Sequence, residues 1–135
     1  MKRTANSTER VAAERETLRR RVGLFYLRLN KARWTDCYEL IDPQLAKQGK
    51  VNLDTYSELL QEFTNRYGRV KRWWTHISLH LDGAQRQRDK RPFAYVYVLW
   101  QDEAHGFHMF RERWIKDRGR WFTRVVGLVP NKQSA

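Results

Sequence analysis

The spacing of hydrophobic residues changes once along this chain, near Val70, and that change restricts the fold more than any other feature of the sequence. Before Val70, apolar residues recur at every third or fourth position, which is typical of helices that bury one face. After Val70, mainly every second residue is apolar, as in strands that are buried on one side. This order predicts an α+β domain in which three helices pack on one face of a four-stranded antiparallel sheet.

The first two predicted helices come from the N-terminal half of the chain. The first covers about residues 8–33 and carries one apolar stripe, formed by Leu18, Val22, Phe25, Tyr26 and Leu29. The second is short and runs from Trp34 to Ile41, because the residue before Pro43 avoids helical backbone. Cys37 lies on the apolar stripe of this helix, so we expect a small core residue rather than a nucleophile.

The third predicted helix runs from Leu53 to Tyr67. Thr55 and Glu58 have the spacing of a capping box near its start, and Gly68 suits the left-handed backbone that follows many helices.

Four strands are predicted after the helices, over about residues 70–81, 93–101, 107–116 and 121–129. Arg118-Gly119 is read as a two-residue turn between the last two, which places Lys116 opposite Trp121.

The length and composition favour one domain. The 135 residues give a mass of 16.4 kDa, and we expect a flexible basic segment over 1–9, one domain over 10–130 and a tail over 131–135. No apolar run approaches the ~20 residues of a membrane span, so we expect a cytoplasmic protein, although a signal or anchor removed upstream of residue 1 would be invisible. A single cysteine excludes an internal disulfide bond and a multi-cysteine zinc site.

The charge is strongly basic. Twenty-seven basic and fifteen acidic residues give a formal net charge of +12. On the first helix, a basic surface lies mostly off the apolar stripe and consists of Arg15, Arg19, Arg20 and Arg28. We expect it to make weak, sequence-independent contacts with nucleic acid or acidic lipid, because no recognised nucleic-acid-binding motif is present.

Two segments resemble the nuclear transport factor 2-like superfamily, also called cystatin-like and typified by ketosteroid isomerase and SnoaL. Residues 32–43 look like its second helix with an Asp-Pro ending, and residues 113–122 look like its closing hairpin, in which a charged, glycine-containing turn precedes a tryptophan. The resemblance covers about residues 10–130 and implies a cone-shaped fold with a pocket between the helices and the sheet. A small strand often found in the family has little room within residues 44–52. The family contains enzymes, ligand-binding domains and association domains, so it does not choose a function.

The predicted pocket residues lie on the helices and on the inward side of the strands: Trp34, Tyr38, Phe63, Trp73, Phe110, Glu112 and Trp114. Glu112 among aromatic rings would have a raised pKa, which suits a general base. Glu112 and His108 are therefore the weak catalytic candidates, and the alternative is that Glu112 pairs with an arginine of the sheet and has a structural role.

Histidines offer no strong metal site. His76 and His80 alternate along one strand and would need Asp82 or His108 as a third ligand, whereas solvated histidines on a polar strand face explain the pattern more simply. We predict no metal and no cofactor.

The leading functional prediction is a non-catalytic domain that binds a small apolar ligand or a protein partner and forms a homodimer through its sheet. Tyr95, Tyr97 and Leu99 form the predicted interface, since their strand is apolar on both sides and the helices can cover only one. The alternatives are a small enzyme that transfers protons in its pocket, as isomerases and dehydratases do, and a basic nucleic-acid-binding module with tryptophans that stack on bases.

Overall fold

The computed structural model describes residues 2–82 and 89–124 and confirms an α+β fold. Its elements, in chain order, are α1 (Lys2–Asn30), α2 (Trp34–Tyr38), α3 (Pro43–Lys47), α4 (Leu53–Tyr67), β1 (Arg72–His80), β2 (Phe93–Gln101), β3 (Phe107–Asp117) and β4 (Arg120–Thr123). The strands form an open antiparallel sheet in the order β1-β2-β3-β4. The predicted extension of the last strand to residue 129, and the tail over 131–135, lie outside the described residues.

Helix α1 begins earlier than predicted, at Lys2 rather than near Thr8. The apolar stripe that marks the helix starts only at Leu18, so the sequence pattern gave no signal for the preceding turns. All five stripe residues are buried, as expected. Asn30 fixes the other end of α1 to the sheet, because its side chain exchanges two hydrogen bonds of 2.8 Å with the backbone of Val70. The flexibility predicted for residues 1–9 stays a prediction.

Four described helices replace the three that were predicted, because the chain turns at Asp42. Helix α2 ends at Tyr38 rather than Ile41, which instead forms a parallel bridge with Thr123. The Asp42 side chain then accepts a hydrogen bond from the backbone N–H of Gln44 at 3.1 Å and caps α3, with Pro43 in its first turn. A residue expected only to end one helix therefore also starts the next.

Helix α4 has the predicted bounds, but its cap differs. The Asn52 side chain accepts a hydrogen bond from Thr55 N–H at 2.9 Å, so Asn52 caps the helix and the predicted capping box at Thr55 is wrong. Gly68 follows with φ of +71°, and a Cβ there would lie 2.5 Å from the Cβ of Glu103. Glycine is thus required where α4 meets the β2–β3 turn.

The strand register divides the sheet into two faces. The predicted pairing at the last turn is confirmed, with Lys116 opposite Trp121. The inner face packs against the helices, and Phe63 of α4 contacts Trp100 and Phe110. We call the outer face the four rows of the opposite side that begin at Arg72, with twelve residues on β1, β2 and β3: Arg72, Trp74, His76, Ser78, Tyr95, Tyr97, Leu99, Gln101, Phe107, Met109, Arg111 and Arg113. The same side continues with His80, Phe93, Ile115 and Asp117, which are not counted in the outer face because Phe93 and Ile115 are buried and Asp117 bonds Arg91.

Candidate binding surface and buried carboxylate

The outer face exposes large apolar side chains in adjacent strands. The register places Trp74 opposite Leu99 and Leu99 opposite Met109, so these three side chains form one row across the sheet. Their exposed fractions are 47%, 38% and 38%, and Phe107 in the next row is 59% exposed. Large apolar groups that cluster on a surface usually mark an association site.

Cationic side chains lie beside the rings of the same face. The guanidinium carbon of Arg111 lies 5.4 Å from the ring centre of Tyr95, within the range of a cation–π contact. The rings of Trp74 and Phe107 are 6.3 Å apart, and those of His76 and Tyr97 are 6.2 Å apart. The outer face therefore combines flat rings with positive charge.

The three residues predicted for a dimer interface all lie on the outer face. Leu99 is exposed, while Tyr95 and Tyr97 are half-buried. Sequence reasoning did not include Trp74, Phe107 and Met109, which are at least as exposed as Leu99. The alternation along each strand was a usable signal, because it already assigned Trp74 to the side opposite the core.

Glu112 is the acidic residue at the centre of the inner face, where its exposed fraction is 2%. One carboxylate oxygen accepts a hydrogen bond from the Tyr26 hydroxyl, and the other accepts one from Trp114 Nε1 at 2.9 Å. Its hydrogen-bond partners are thus a tyrosine and a tryptophan rather than an arginine. Burial raises the pKa of Glu112, and the two donors oppose that rise without cancelling it.

The pKa values of two tyrosines on the helices are raised, and the charge of the buried Glu112 carboxylate contributes to both. Burial, with the charge of Glu112 as the next cause, raises the pKa of Tyr26 well above its usual value. Burial is also the main cause of the raised pKa of Tyr56, and the hydroxyl group of Tyr56 is buried without a hydrogen-bond partner. Sequence reasoning identified Glu112 but missed Tyr26 as its partner, although Tyr26 lies on the apolar stripe of α1.

The predicted pocket residues fill the interior. Phe63, Phe110, Glu112 and Trp114 are buried, while Trp34, Tyr38 and Trp73 are half-buried. Tyr38 donates a hydrogen bond to the backbone oxygen of Val51 at 3.1 Å, and Trp73 packs against Tyr26. Three concavities lined by described residues open elsewhere on the surface, and Trp73 lines one of them, of about 390 Å³. The small-ligand pocket stays a prediction.

His108 lies at one end of the sheet, away from Glu112. Its Nε2 is 2.7 Å from a carboxylate oxygen of Asp102, and its ring stacks on Trp100 at 4.5 Å. Asp102 also accepts hydrogen bonds from the backbone N–H groups of Ala104 and Gly106, which closes the β2–β3 turn. The structure therefore does not bring the two catalytic candidates together, and it gives His108 a structural partner.

A cluster of ion pairs surrounds Arg91 at the opposite end of the sheet. Its guanidinium group bonds the carboxylates of Asp42, Asp89 and Asp117 at 2.7 to 2.8 Å, and Arg124 approaches two of them. Hydrogen bonds from Arg91 are the main cause of the lowered pKa of Asp89. The cluster joins the turn before α3, the segment before β2 and the end of β3, and each of its carboxylates is paired with an arginine, so we assign it a structural role.

The basic surface predicted on α1 is partly engaged within the protein. Arg19 and Arg20 both bond Glu16, at 3.0 and 3.3 Å, while Arg28 donates to the backbone oxygen of Asp36 at 2.8 Å. Arg15 is half-exposed. The α1 arginines thus offer less unpaired charge than the sequence indicates.

The remaining sequence candidates are His76, His80 and Cys37. His76 and His80 lie on β1, and within residues 2–82 and 89–124 no group of three or more histidine, cysteine, aspartate or glutamate residues could hold a metal ion. Cys37 is fully buried, and burial raises the pKa of its thiol to about 12. A thiol in that state is a poor nucleophile.

No family model, curated protein or solved structure matches the chain. The resemblance to the nuclear transport factor 2-like superfamily therefore stays a prediction, while the described residues form an α+β fold with four helices and one antiparallel sheet. None of the described helices is long and apolar enough to cross a membrane.

Proposed function

We propose that this protein is a non-catalytic association domain and that the outer face is its binding surface. The observation that supports this proposal is the row of Trp74, Leu99 and Met109, which stays exposed beside Phe107 on the side of the sheet that the helices do not cover. A folded domain rarely leaves two large aromatic rings and two aliphatic side chains together in water unless a partner covers them.

The buried carboxylate supports binding rather than catalysis. A general base needs a lone pair that a substrate proton can reach. Glu112 is only 2% exposed, and its two oxygens face the buried donors Tyr26 and Trp114, from which each accepts a hydrogen bond. We therefore interpret Glu112 as a polar group that fixes α1 on the sheet.

A second copy of the chain is the partner that the sequence predicts, and the outer face restricts how that copy can dock. None of the twelve residues of this face is aspartate or glutamate, so Arg111 of one copy would meet only neutral or positive groups of the other. An isologous contact should therefore centre on the Trp74–Leu99–Met109 row and keep Arg111 at its rim.

Light scattering over 5 to 100 µM protein tests the homodimer. We expect a dimer mass at tens of micromolar, and Leu99→Lys should return the mass to that of a monomer, because it places a charge at the centre of the contact. The matched control is Leu27→Lys, since Leu27 is 51% exposed on α1, away from the sheet. A wild-type monomer mass throughout that range would contradict the homodimer.

Proton transfer or ligand binding beside Glu112 is a second candidate, favoured by the raised pKa of that carboxyl. The apolar dye 8-anilinonaphthalene-1-sulfonate can distinguish the two locations. If the dye binds inside, Glu112→Gln should alter the pH dependence of its fluorescence, and Leu99→Lys should not. If the dye instead occupies the outer face, as the association proposal predicts, Leu99→Lys should alter its fluorescence and Glu112→Gln should leave the pH dependence of that fluorescence unchanged.

A further inference from the structure

We infer that the outer face binds single-stranded nucleic acid, by stacking bases on its rings and holding phosphates with its arginines. This inference rests on the proposed function, in which the outer face is the binding surface, and it names the partner.

The sign of the charge is the first argument. The twelve residues of the outer face include three arginines and no carboxylate, and Asp117, farther along the same side of β3, bonds Arg91 at 2.7 Å. Arg72 and Arg111 are exposed at opposite edges of the three strands. A surface of this kind attracts a polyanion, whose bound counterions are released into solution on binding.

The exposed rings favour single-stranded nucleic acid over duplex DNA as the polyanion. Trp74 and Phe107 are the most exposed aromatic residues of the face, and they lie in adjacent rows with 6.3 Å between ring centres. Unpaired bases stack on such rings with little preference for sequence, because every base has an aromatic face. Duplex DNA keeps its bases inside, so it could use the arginines but not the rings.

Contacts between neighbouring side chains position part of the outer face in the free protein. Arg111 lies over the Tyr95 ring, and His76 lies beside the Tyr97 ring. Strands also fix the spacing of side chains more firmly than loops do. A platform three strands wide, with rings and cations, suits a single strand laid across it.

Fluorescence anisotropy of labelled twelve-residue oligothymidylate, at 50 mM salt, tests the inference, with a twelve-base-pair duplex as the second probe. We expect the single strand to bind at least tenfold more tightly than the duplex. If about three phosphates are neutralised, the slope of log affinity against log salt should be near −2, at ~0.7 per phosphate.

Two charge reversals of equal size locate the site. Arg72→Glu with Arg111→Glu should weaken single-strand binding more than tenfold, whereas Arg19→Glu with Arg20→Glu on α1 should weaken it less than threefold. Each pair of substitutions changes the net charge by four, so a general electrostatic effect would lower the single-strand affinity of the two variants equally. Equal losses, or a larger loss from the α1 pair, would overturn the inference.

A ring variant separates stacking from charge. Trp74→Ala with Phe107→Ala should weaken single-strand binding about tenfold and leave duplex binding unchanged. Loss of both together, or of neither, would contradict stacking. Circular dichroism must show that each variant is folded, and if the charge reversal unfolds the protein, Arg72→Gln with Arg111→Gln replaces it with half the charge change.

The outcomes also separate this inference from the proposed function. If the wild-type protein binds neither probe but forms a dimer that Leu99→Lys disrupts, the outer face is an association surface for a second copy and the nucleic-acid inference is wrong. If neither probe binds and the protein stays monomeric, both proposals fail.

Discussion

The two faces of the sheet carry similar side chains but meet different surroundings. Each face has a tryptophan, a phenylalanine and a charged residue: Trp114, Phe110 and Glu112 inside, and Trp74, Phe107 and Arg111 outside. The inner set is buried and the polar atoms of Glu112 are satisfied, whereas the outer set stays in contact with water. The same residue types therefore stabilise the fold on one face and are available to a partner on the other.

The largest expected difference comes from the same substitution on the two faces. Trp114→Ala should lower the free energy of unfolding by about 3–5 kcal/mol, because it leaves a cavity in a fully buried site. Trp74→Ala should cost less than about 1 kcal/mol, because its ring is 47% exposed. Urea denaturation of both variants measures the difference. Similar losses would mean that the outer face is packed in the free protein.

The next effect concerns the hydroxyl group that holds Glu112. Tyr26→Phe removes one donor and leaves a buried carboxylate oxygen unpaired, which should cost about 1–3 kcal/mol in urea denaturation. Tyr97→Phe on the outer face is the matched control, and we expect its cost to stay below about 0.5 kcal/mol. A Tyr26→Phe protein as stable as the wild type would mean that this hydrogen bond does not fix α1 on the sheet.

The buried carboxylate of Glu112 should also make the free energy of unfolding depend on pH. Burial raises the pKa of Glu112 in the folded state above that of the unfolded chain, so folding favours the protonated form. The contribution is complete below the unfolded pKa and is lost as the pH rises through the folded pKa.

Glu112→Gln removes that titration. Relative to the wild type, the variant should therefore gain stability between pH 4 and pH 8, as measured by denaturation at each pH. Glu39→Gln, at an exposed position on the helical side, serves as the control and should follow the wild-type curve. A wild-type protein that becomes more stable than Glu112→Gln as the pH rises would reverse the assignment.

The sequence predicted the inner face better than the outer face, and the reason is physical. Burial of one helix face makes apolar residues recur every three or four positions, which located the α1 stripe and α4, and a near-continuous apolar run located β2. The turn at Arg118-Gly119 then fixed the register and placed Glu112 inside. Alternation assigned Trp74 to the side opposite the core, but it gave no measure of how exposed Trp74 and Phe107 are or that their rings lie together.

Local hydrogen bonds account for the helix boundaries and caps that were predicted incorrectly from the sequence. Asp42 and Asn52 each have a side chain that can bond several backbone groups, and the choice depends on how the chain enters the helix. Helix α3 is only five residues long, too short to show a hydrophobic period. The ion pairs around Arg91 join residues far apart in the chain, which spacing along the sequence cannot reveal.

The smallest expected effect tests whether a second copy covers the outer face. If the folded state is a dimer, its apparent stability rises with protein concentration, by at most about 1.4 kcal/mol for each tenfold increase. Thermal melting at 5, 50 and 500 µM should therefore show a small rise in Tm for the wild type and for Leu27→Lys, and none for Leu99→Lys. Trp114→Phe serves as a core control that should lower Tm at every concentration without changing the slope. A wild-type Tm that does not depend on concentration would mean that the apolar row of the outer face stays open in the free protein and that its partner is another molecule.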